Sequence, residues 1–289
     1  MHITDIINKG RPTFSFEFFP PKSERASESL FETIKDLESL APSYVSITYG
    51  AGGTTRERTH DLVEKILEKT NLIPIPHLTC VQHTEEEISN ILKRYSDKGI
   101  SNILALRGDN PKGDAQYDRS KDSFCFARDL VEFIRDFDNS TLDKKSKSFG
   151  IGVAGFPEGH PETPNRFKEM DYLKAKVDSG ADYICTQLFF DNHDFFDFRD
   201  RCELAGIKIP IIAGVMPVTS ISGMQRMADL AAGSRFPAKL LKSIDRCNLD
   251  SDAVERVGIQ YATEQCSDLL NNGVDGIHFY TLNKSKSTR

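Results

Sequence analysis

Eight short apolar runs recur along the 289-residue chain, with amphipathic stretches between them. Near-continuous apolar runs are typical of parallel strands that are covered on both faces. The predicted strands are Thr13–Phe18, Tyr44–Tyr49, Ile73–Cys80, Asn102–Arg107, Phe149–Gly155, Asp182–Phe190, Ile209–Val215 and Asp275–Thr281. Eight strands that alternate with helices predict a single (β/α)8 barrel, with an open doubly wound sheet as the alternative.

Helical periodicity fills most of the intervals between these strands. The clearest helical segments are Ser27–Leu40, Thr84–Lys98, Asn192–Ala205 and Val254–Leu270. Thr84 and Glu87 form the pattern of a capping box, and Gly99 suits the position just after the helix end. The long interval before the eighth strand predicts an extra helix around Ala238–Asp245. Two polar segments are predicted as loops at opposite ends of the barrel, Asn110–Asp122 and Asp138–Ser148.

Charge, hydropathy and cysteine content indicate the cellular compartment of the protein and exclude some classes of binding partner. The net charge of -6 and the pI of about 5.7 argue weakly against a nucleic-acid partner, which favours a basic surface. No stretch approaches a membrane span, and the N-terminal residues lack the apolar core of a signal peptide. Six scattered cysteines without a C-x-x-C pair predict reduced thiols. We therefore expect one cytoplasmic barrel domain over residues 1–289 that contacts neither membrane nor nucleic acid.

The first strand places a carboxyl group near the end of the barrel where such folds carry their chemistry. Phe14, Phe16 and Phe18 share one face of the strand, and Ser15 and Glu17 share the other. We expect the phenylalanines to face the helices and Glu17 to point into the barrel. A carboxyl group among aromatic rings is costly to ionise, which suits a proton donor. The alternative is a structural glutamate paired with an internal arginine or lysine.

Polar residues stand at further strand ends, and each has a structural alternative. Thr48 precedes a glycine-rich turn whose backbone permits close approach of a flat or anionic ligand. His77 is either a ligand contact or a hydrogen-bonded structural residue. Arg107 and Asp109 either serve a site or pair with each other. Gln187 either braces the barrel interior or contacts a polar ligand edge, since an unpaired buried amide is costly.

The residue types at these strand ends exclude several reaction classes. The sequence lacks clustered His, Cys and Asp at metal-ligand spacing, so we expect no metal. It also lacks an obvious Schiff-base lysine within a strand and a serine or cysteine in the setting of an activated nucleophile. A pocket with one acid and few cations indicates chemistry that comes from a bound cofactor.

Eight segments, in order along the chain, resemble the methylenetetrahydrofolate reductase family. They are FEFFPPK (16–22), VSITYGA (45–51), HLTC (77–80), LRGD (106–109), PEGHP (157–161), KVDSGAD (176–182), TQLFFD (186–191) and HFYTLN (278–283). Any one of these matches is weak, whereas eight in register over nearly the whole chain are specific.

The resemblance implies a barrel with FAD at its mouth, reduced by NADH or NADPH. The reduced flavin then passes a hydride to 5,10-methylenetetrahydrofolate, giving 5-methyltetrahydrofolate by a ping-pong scheme in one-carbon metabolism and methionine biosynthesis. By the same resemblance, Glu17 is the general acid that opens the folate ring, and Asp109 tunes the flavin and binds folate. Further contacts are carried over as follows: Thr48, Tyr49, Ala51, His77, Arg107, Gly108, Ala127, Phe156, His160 and Lys176 to the cofactors, and Gln187, Tyr280 and Lys284 to the folate.

The chain departs from the family pattern at several places. Phe156 stands where a tyrosine is common, Ala175 where bacterial relatives can carry arginine, and Lys284 where arginine is common. Met227 replaces an aromatic residue of a bacterial member, so no stacking role is assigned to it. The chain ends soon after the eighth strand, so control by S-adenosylmethionine is not expected.

Two other functions fit the same features. One is a related barrel flavoprotein that oxidises another amine, as proline dehydrogenase does, and the other is a non-catalytic barrel that binds folate or flavin. Because barrel helices are exposed and commonly associate, we predict a homo-oligomer. The choice between NADH and NADPH is left open by the sequence.

Overall fold

Eight parallel strands close into a barrel, in a computed structural model that describes residues 1–9, 12–49, 56–111, 116–141, 148–231 and 233–289. The strands are β1 (Thr13–Phe18), β2 (Tyr44–Ile47), β3 (Pro74–Thr79), β4 (Asn102–Leu106), β5 (Gly150–Gly155), β6 (Tyr183–Thr186), β7 (Ile211–Val215) and β8 (Gly276–Tyr280). Each strand pairs with the next, and β8 pairs with β1. The predicted (β/α)8 barrel is confirmed, and the open-sheet alternative is wrong.

Helices surround this barrel. They are α1 (Ile3–Ile7), α2 (Glu24–Glu38), α3 (Arg56–Lys69), α4 (Glu85–Asp97), α5 (Ala127–Thr141), α6 (Arg166–Asp178), α7 (Asn192–Leu204), α8 (Ile221–Leu230), α9 (Ala238–Asp245) and α10 (Ser251–Asn271). The capping box at Thr84 forms as predicted, because its side chain and that of Glu87 each accept a backbone N–H of the other residue. Gly99 adopts a φ of 76°, the left-handed conformation expected after a helix end.

Two predicted boundaries are wrong for identifiable reasons. The connector predicted from Asp138 begins within α5, because Asp138 pairs with Arg135 one turn earlier and accepts the backbone N–H of Phe149. The sixth strand ends at Thr186 rather than at Phe190. The apolar residues after Thr186 leave the sheet and are buried instead against loops and helices, so their hydrophobicity extended the predicted strand.

Helix α1 closes the N-terminal end of the barrel. Ile3 and Ile6 are buried among inward-facing residues such as Tyr44 and Tyr183. The fully buried Asn102 holds this helix, because its amide oxygen accepts from Ile3 N at 2.6 Å and its amide nitrogen donates to Met1 O at 2.9 Å. With this end filled, the open end for a ligand is the C-terminal end of the strands.

A second apolar cluster supports the C-terminal end near β6 and β7. It joins Leu188, Met216 and Val218 to α8 and α9 through Met227 and Leu240. This packing anchors the loops that follow β6 and β7, which form one side of the opening. Neither α1, with five residues, nor α8, with ten, was predicted from the sequence.

Candidate functional site

Strand β1 points Glu17 into the barrel. Phe16 and Phe18 pack into the core between the barrel and the helices, and Glu17 takes the opposite face with 6% of its surface exposed. This orientation follows the alternation expected of a strand. Phe14 departs from the prediction, because 38% of its surface is exposed at the start of the strand. Among the residues that the structure describes, the side chains within ion-pair distance of Glu17 are His77 and His278, and no arginine or lysine pairs with it as the structural alternative requires.

Two histidines from different strands flank the Glu17 carboxyl group. Glu17 Oε2 lies 3.6 Å from His77 Nε2 and 3.8 Å from His278 Nε2. Burial lowers the pKa of His77 to about 4, although the carboxylate of Glu17 opposes this shift. His77 is therefore neutral near pH 7. Its Nε2 is buried without a hydrogen-bond partner among the described residues, so it is free to contact a ligand.

His278 was not singled out by the sequence analysis, although it lies in a quoted motif. Its Nδ1 is 2.7 Å from Ser15 Oγ, and its Nε2 is 3.2 Å from Ser46 Oγ. The alternation of β8 is the signal that could have found it. His278 and Tyr280 pair in register with Ser15 and Glu17, so all four share the inward face.

The end of β2 contributes Thr48 and Tyr49. Thr48 lines the opening, and its carbonyl accepts the hydroxyl of Thr59 at 3.0 Å. The Tyr49 hydroxyl is 3.0 Å from His83 Nε2, and burial raises the pKa of Tyr49. The hydroxyl group is therefore bonded within the protein, and the ring of Tyr49 lines the opening. The predicted residue Ala51 lies outside the described residues, as do the neighbouring glycines.

The turn after β4 contains Arg107, Gly108 and Asp109. Gly108 has a φ of 80°, and a Cβ there would lie 2.9 Å from Thr79 Cβ. Arg107 pairs with Glu162 at 2.6 Å rather than with Asp109, so the predicted alternative of a structural Arg107–Asp109 pair is wrong. Asp109 is exposed at the wall of the opening.

Arg119 fixes this turn and was missed by the sequence analysis. Its guanidinium donates to the carbonyls of Arg107 at 3.3 Å and Gly108 at 3.0 Å, and to Asn110 Oδ1 at 2.7 Å. Backbone carbonyls are thereby occupied, and the backbone faces the opening in one fixed conformation. The positive charge also contributes to the local potential around the turn.

The wall formed by β5 and α6 carries His160 and Lys176. The ring of His160 packs edge-on against Phe156 with centroids 4.7 Å apart, and burial lowers its pKa. Lys176 Nζ donates to the carbonyl of Ala154 at 2.5 Å. Burial lowers the pKa of Lys176 to about 8; Arg107 adds to this lowering and Glu169 opposes it. The wall therefore carries positive charge near pH 7, and the burial of Lys176 makes that charge energetically unfavourable.

Replacing Lys176 with methionine is expected to raise the thermal stability of the ligand-free protein at pH 7. The pKa of Lys176 is lower in the folded protein than in the unfolded chain. Below about pH 8 the side chain is charged in both states, and the whole cost of burying that charge is then subtracted from the stability of the fold. This penalty fades as the pH rises from about 8 towards the ordinary lysine value of 10.5. Melting curves should therefore show a gain in Tm at pH 7 that shrinks by pH 9.5. The exposed Lys168 on the same helix is the control, and an equal gain from Lys168→Met would contradict this account.

The ends of β6 and β8 supply an amide and a phenol. Gln187 Oε1 accepts the backbone N–H of Leu188 at 2.8 Å, and its amide nitrogen makes no hydrogen bond among the described residues. The Tyr280 hydroxyl donates to the carbonyl of Thr186 at 2.7 Å. Both side chains line the opening, whereas Lys284 is exposed outside its lining. The structure therefore does not bring Lys284 together with the other predicted residues.

These walls enclose one cavity of about 1030 Å³ at the C-terminal end of the barrel. Its lining includes the following predicted residues: Glu17, Thr48, Tyr49, His77, Arg107, Gly108, Asp109, Ala127, Phe156, His160, Lys176, Gln187 and Tyr280. Cavities of this size hold large cofactors, and the mixed apolar and cationic lining suits a molecule with flat rings and a phosphate group. Within the described part of the chain, no cluster of three or more ligating side chains suits a metal ion.

Comparison with known proteins shows the family of this chain. A model of the methylenetetrahydrofolate reductase family matches residues 2–289. The chain belongs to this family. A methylenetetrahydrofolate reductase (NADH) of Arabidopsis thaliana is 39% identical over 99% of this chain, and the 5,10-methylenetetrahydrofolate reductase of Escherichia coli is 38% identical over 96% of it.

The extent of these matches differs between relatives of the methylenetetrahydrofolate reductase family. The chain spans about half the length of the plant relatives, 48% for the Arabidopsis thaliana protein, and 88% of the Escherichia coli protein. Among solved structures, a Clostridium thermocellum protein that binds two copies of 5-methyl-5,6,7,8-tetrahydrofolic acid has a TM-score of 0.65 at 17% identity, covering 98% of this chain and 94% of that one. That likeness concerns the fold alone. No described helix has the length and apolar character required to cross a membrane.

Proposed function

We propose that the chain is an FAD-dependent methylenetetrahydrofolate reductase that uses NADH or NADPH. It reduces 5,10-methylenetetrahydrofolate to 5-methyltetrahydrofolate in two half-reactions that take turns in one cavity. One observation carries this proposal: the buried Glu17 carboxyl group faces the same 1030 Å³ cavity whose wall carries Arg107 and Lys176. One proton donor and one anion-binding wall are thereby available to a cofactor and a substrate that lie together.

The cavity fits FAD by its shape and by its donors. A Cβ at Gly108 would lie 2.9 Å from Thr79 Cβ, so the turn after β4 keeps its path at the cavity wall only with a glycine there. Arg107, His160 and Lys176 offer donors to a pyrophosphate, and the guanidinium binds phosphate oxygens in pairs. Bound FAD supplies two-electron hydride chemistry, accepting from a reduced nicotinamide and giving to the folate.

Glu17 supplies the proton in the folate half-reaction. Its neighbour His77 is neutral, so no positive charge locks the carboxyl group into a salt bridge. A proton given to a nitrogen of the folate's five-membered ring opens the ring to the reactive iminium. Solvent access is small, since only 6% of Glu17 is exposed, and the donated proton is therefore directed to the ligand.

Other residues bind and orient the two ligands. Asp109 is exposed in the cavity lining. In this proposal its carboxylate accepts hydrogen bonds from the amino-substituted edge of a pterin and biases the flavin electrostatically. The unpaired amide nitrogen of Gln187 donates to a polar edge of the stacked ligands. Thr48 serves the nicotinamide side, and Tyr280 forms a ring wall fixed by its hydrogen bond to Thr186.

The relatives support the choice of substrate and reductant. The Escherichia coli relative is named for 5,10-methylenetetrahydrofolate, and the Arabidopsis thaliana relative is named for NADH. We therefore propose NADH as the first reductant to test. Because Lys284 is exposed and lies outside the cavity lining, we propose that folate affinity depends little on it.

Anaerobic spectroscopy tests this function. We expect the purified protein to bind FAD, to bleach on addition of NADH, and to regain colour with 5,10-methylenetetrahydrofolate while 5-methyltetrahydrofolate forms. Bleaching without recovery by the folate would contradict the proposal and favour a flavoprotein that acts on another amine. Failure to bind FAD would favour a non-catalytic barrel.

A further inference from the structure

Arg119 bonds to the turn that carries Asp109 without lining the cavity itself. The cavity lining contains Arg107, Gly108 and Asp109, whereas Arg119 is not part of it. The guanidinium group donates to the carbonyl of Arg107 at 3.3 Å, to the carbonyl of Gly108 at 3.0 Å and to Asn110 Oδ1 at 2.7 Å. Its three acceptors therefore belong to residues on both sides of Asp109 in the chain.

The turn is held by packing as well as by these hydrogen bonds. A Cβ at Gly108 would lie 2.9 Å from Thr79 Cβ and 3.0 Å from Val81 Cγ2, so these side chains restrict movement of the turn on that side. A guanidinium group is planar and stays protonated, so Arg119 offers its donors in fixed directions at every working pH. The backbone next to Asp109 is thereby kept in one arrangement.

Arg119 is presented to the turn by a structured segment. It begins a short 3-10 helix, Arg119–Lys121. Asp118 Oδ1 caps this helix, because it accepts from Ser120 N at 3.1 Å and from Ser120 Oγ at 2.6 Å. The guanidinium carbon of Arg119 also lies 5.9 Å from the centroid of the Tyr117 ring, within the range of a cation–π contact. The three hydrogen bonds to the turn are therefore made from a side chain that is itself supported.

We propose that Arg119 is a positioning residue that holds the carboxylate of Asp109 in the orientation that binds folate. Asp109 is exposed at the cavity wall, so the direction of its side chain is set by the backbone that carries it. If that backbone moves, a ligand must order the carboxylate when it binds, and this ordering reduces affinity. The inference rests on the proposed function, in which Asp109 accepts hydrogen bonds from the pterin.

A double-mutant cycle tests whether Arg119 acts through Asp109. Wild type, Arg119→Met, Asp109→Ala and the double variant are loaded with FAD and titrated anaerobically with tetrahydrofolate, which has no methylene group to reduce. Flavin absorbance reports binding. We expect Arg119→Met to weaken tetrahydrofolate binding about five- to twentyfold, and Asp109→Ala to weaken it at least as much.

The double variant decides between coupled and independent roles. It should bind tetrahydrofolate within about twofold of Asp109→Ala, because the carboxylate through which Arg119 acts is absent from both. If Arg119→Met weakens binding by the same factor in the presence and in the absence of the carboxylate, the two residues act independently and the proposal is wrong.

The half-reactions provide a readout that general damage to the loop would not give. In Arg119→Met, the concentration of 5,10-methylenetetrahydrofolate that gives half the maximal rate should rise by about five- to twentyfold. The limiting rates of folate reduction and of flavin reduction by NADH should each fall less than about threefold, since the lost interaction serves ground-state binding of the folate. Equal losses in the limiting rates of both half-reactions, without a change in folate affinity, would overturn the proposal.

Arg119→Lys separates the geometry of the side chain from its charge. It keeps the charge but lacks the planar set of donors, so we expect binding to stay about three- to tenfold weaker than in wild type. Wild-type affinity in Arg119→Lys would show that charge alone is sufficient and would contradict the proposal. If Arg119→Met does not fold or does not hold FAD, Arg119→Lys replaces it in the same cycle.

Lys121→Met is the matched control on the same short helix. The side chain of Lys121 is 81% exposed and lies 3.7 Å from Asp118, away from the carbonyls of the turn. This variant should bind tetrahydrofolate as wild type does, and a loss equal to that of Arg119→Met would contradict the proposal. Wild type that holds FAD but neither binds tetrahydrofolate nor reduces 5,10-methylenetetrahydrofolate would overturn the proposed function itself, which is a separate outcome.

Discussion

Glu17→Gln is expected to slow folate reduction by about 10²- to 10⁴-fold while flavin reduction by NADH changes less than about twofold. The amide matches the carboxyl group in size and keeps the contacts of the buried position. It has no acidic proton to give, so only the half-reaction that consumes a proton from this side chain suffers. The neutral His77 beside it does not replace the lost acid, because its pKa of about 4 leaves it unprotonated near pH 7.

Separate half-reactions measure this effect. The variant enzyme is mixed with NADH in one experiment, and the reduced variant is mixed with 5,10-methylenetetrahydrofolate in the other. Glu264→Gln makes the same chemical change on the outer surface of α10, where Glu264 pairs with Lys239, and should leave both rates unchanged. Equal losses in the two half-reactions of Glu17→Gln would contradict its role as the acid.

Gly108→Ala is expected to destabilise the protein by about 2–4 kcal/mol and to weaken FAD binding at least about tenfold. The φ of 80° disfavours any side chain, and the new Cβ would lie 2.9 Å from Thr79 Cβ and 3.0 Å from Val81 Cγ2. Both neighbours are β-branched and stiff, so the turn itself must move. That movement would shift Arg107 and Asp109, which flank Gly108 at the cavity wall.

Gly99→Ala separates backbone strain from crowding. Gly99 has a φ of 76°, close to that of Gly108, but a Cβ there meets no atom within 4 Å. It should cost only about 1 kcal/mol and leave FAD affinity unchanged. Urea denaturation and flavin fluorescence titration give the two quantities. If Gly99→Ala is as damaging as Gly108→Ala, crowding at the cavity wall is not the cause.

The barrel follows from the sequence because strand signals repeat eight times with helices between them. Local rules located Thr13–Phe18 and Ala238–Asp245 with the observed bounds, and they located the capping box of α4. They misplaced elements whose ends depend on distant contacts. The apolar residues after Thr186 have the pattern of a strand, but in the structure they pack against α8 and α9 outside the sheet.

Local patterns also predicted part of the cavity, and contacts between distant residues determine the rest. Strand alternation points Glu17 inward, and the motif positions agree with residues that the structure gathers around one opening. Arg119 bonds back to Gly108 within the long loop after β4, and the pairing of Arg107 with Glu162 joins two separate loops. Neither contact follows from the local periodicity that predicts helices and strands. Lys284 follows a matching motif, yet its place outside the cavity lining depends on the path of the chain after β8.

The central claim is that one cavity serves both the nicotinamide and the folate. An initial-rate matrix with NADH and 5,10-methylenetetrahydrofolate varied together tests it most directly. We predict parallel lines in double-reciprocal plots, with each substrate inhibiting competitively against the other at high concentration, because in the proposed scheme the two take turns in the cavity that Glu17 lines. Intersecting lines would show that both substrates bind together, and would contradict the account.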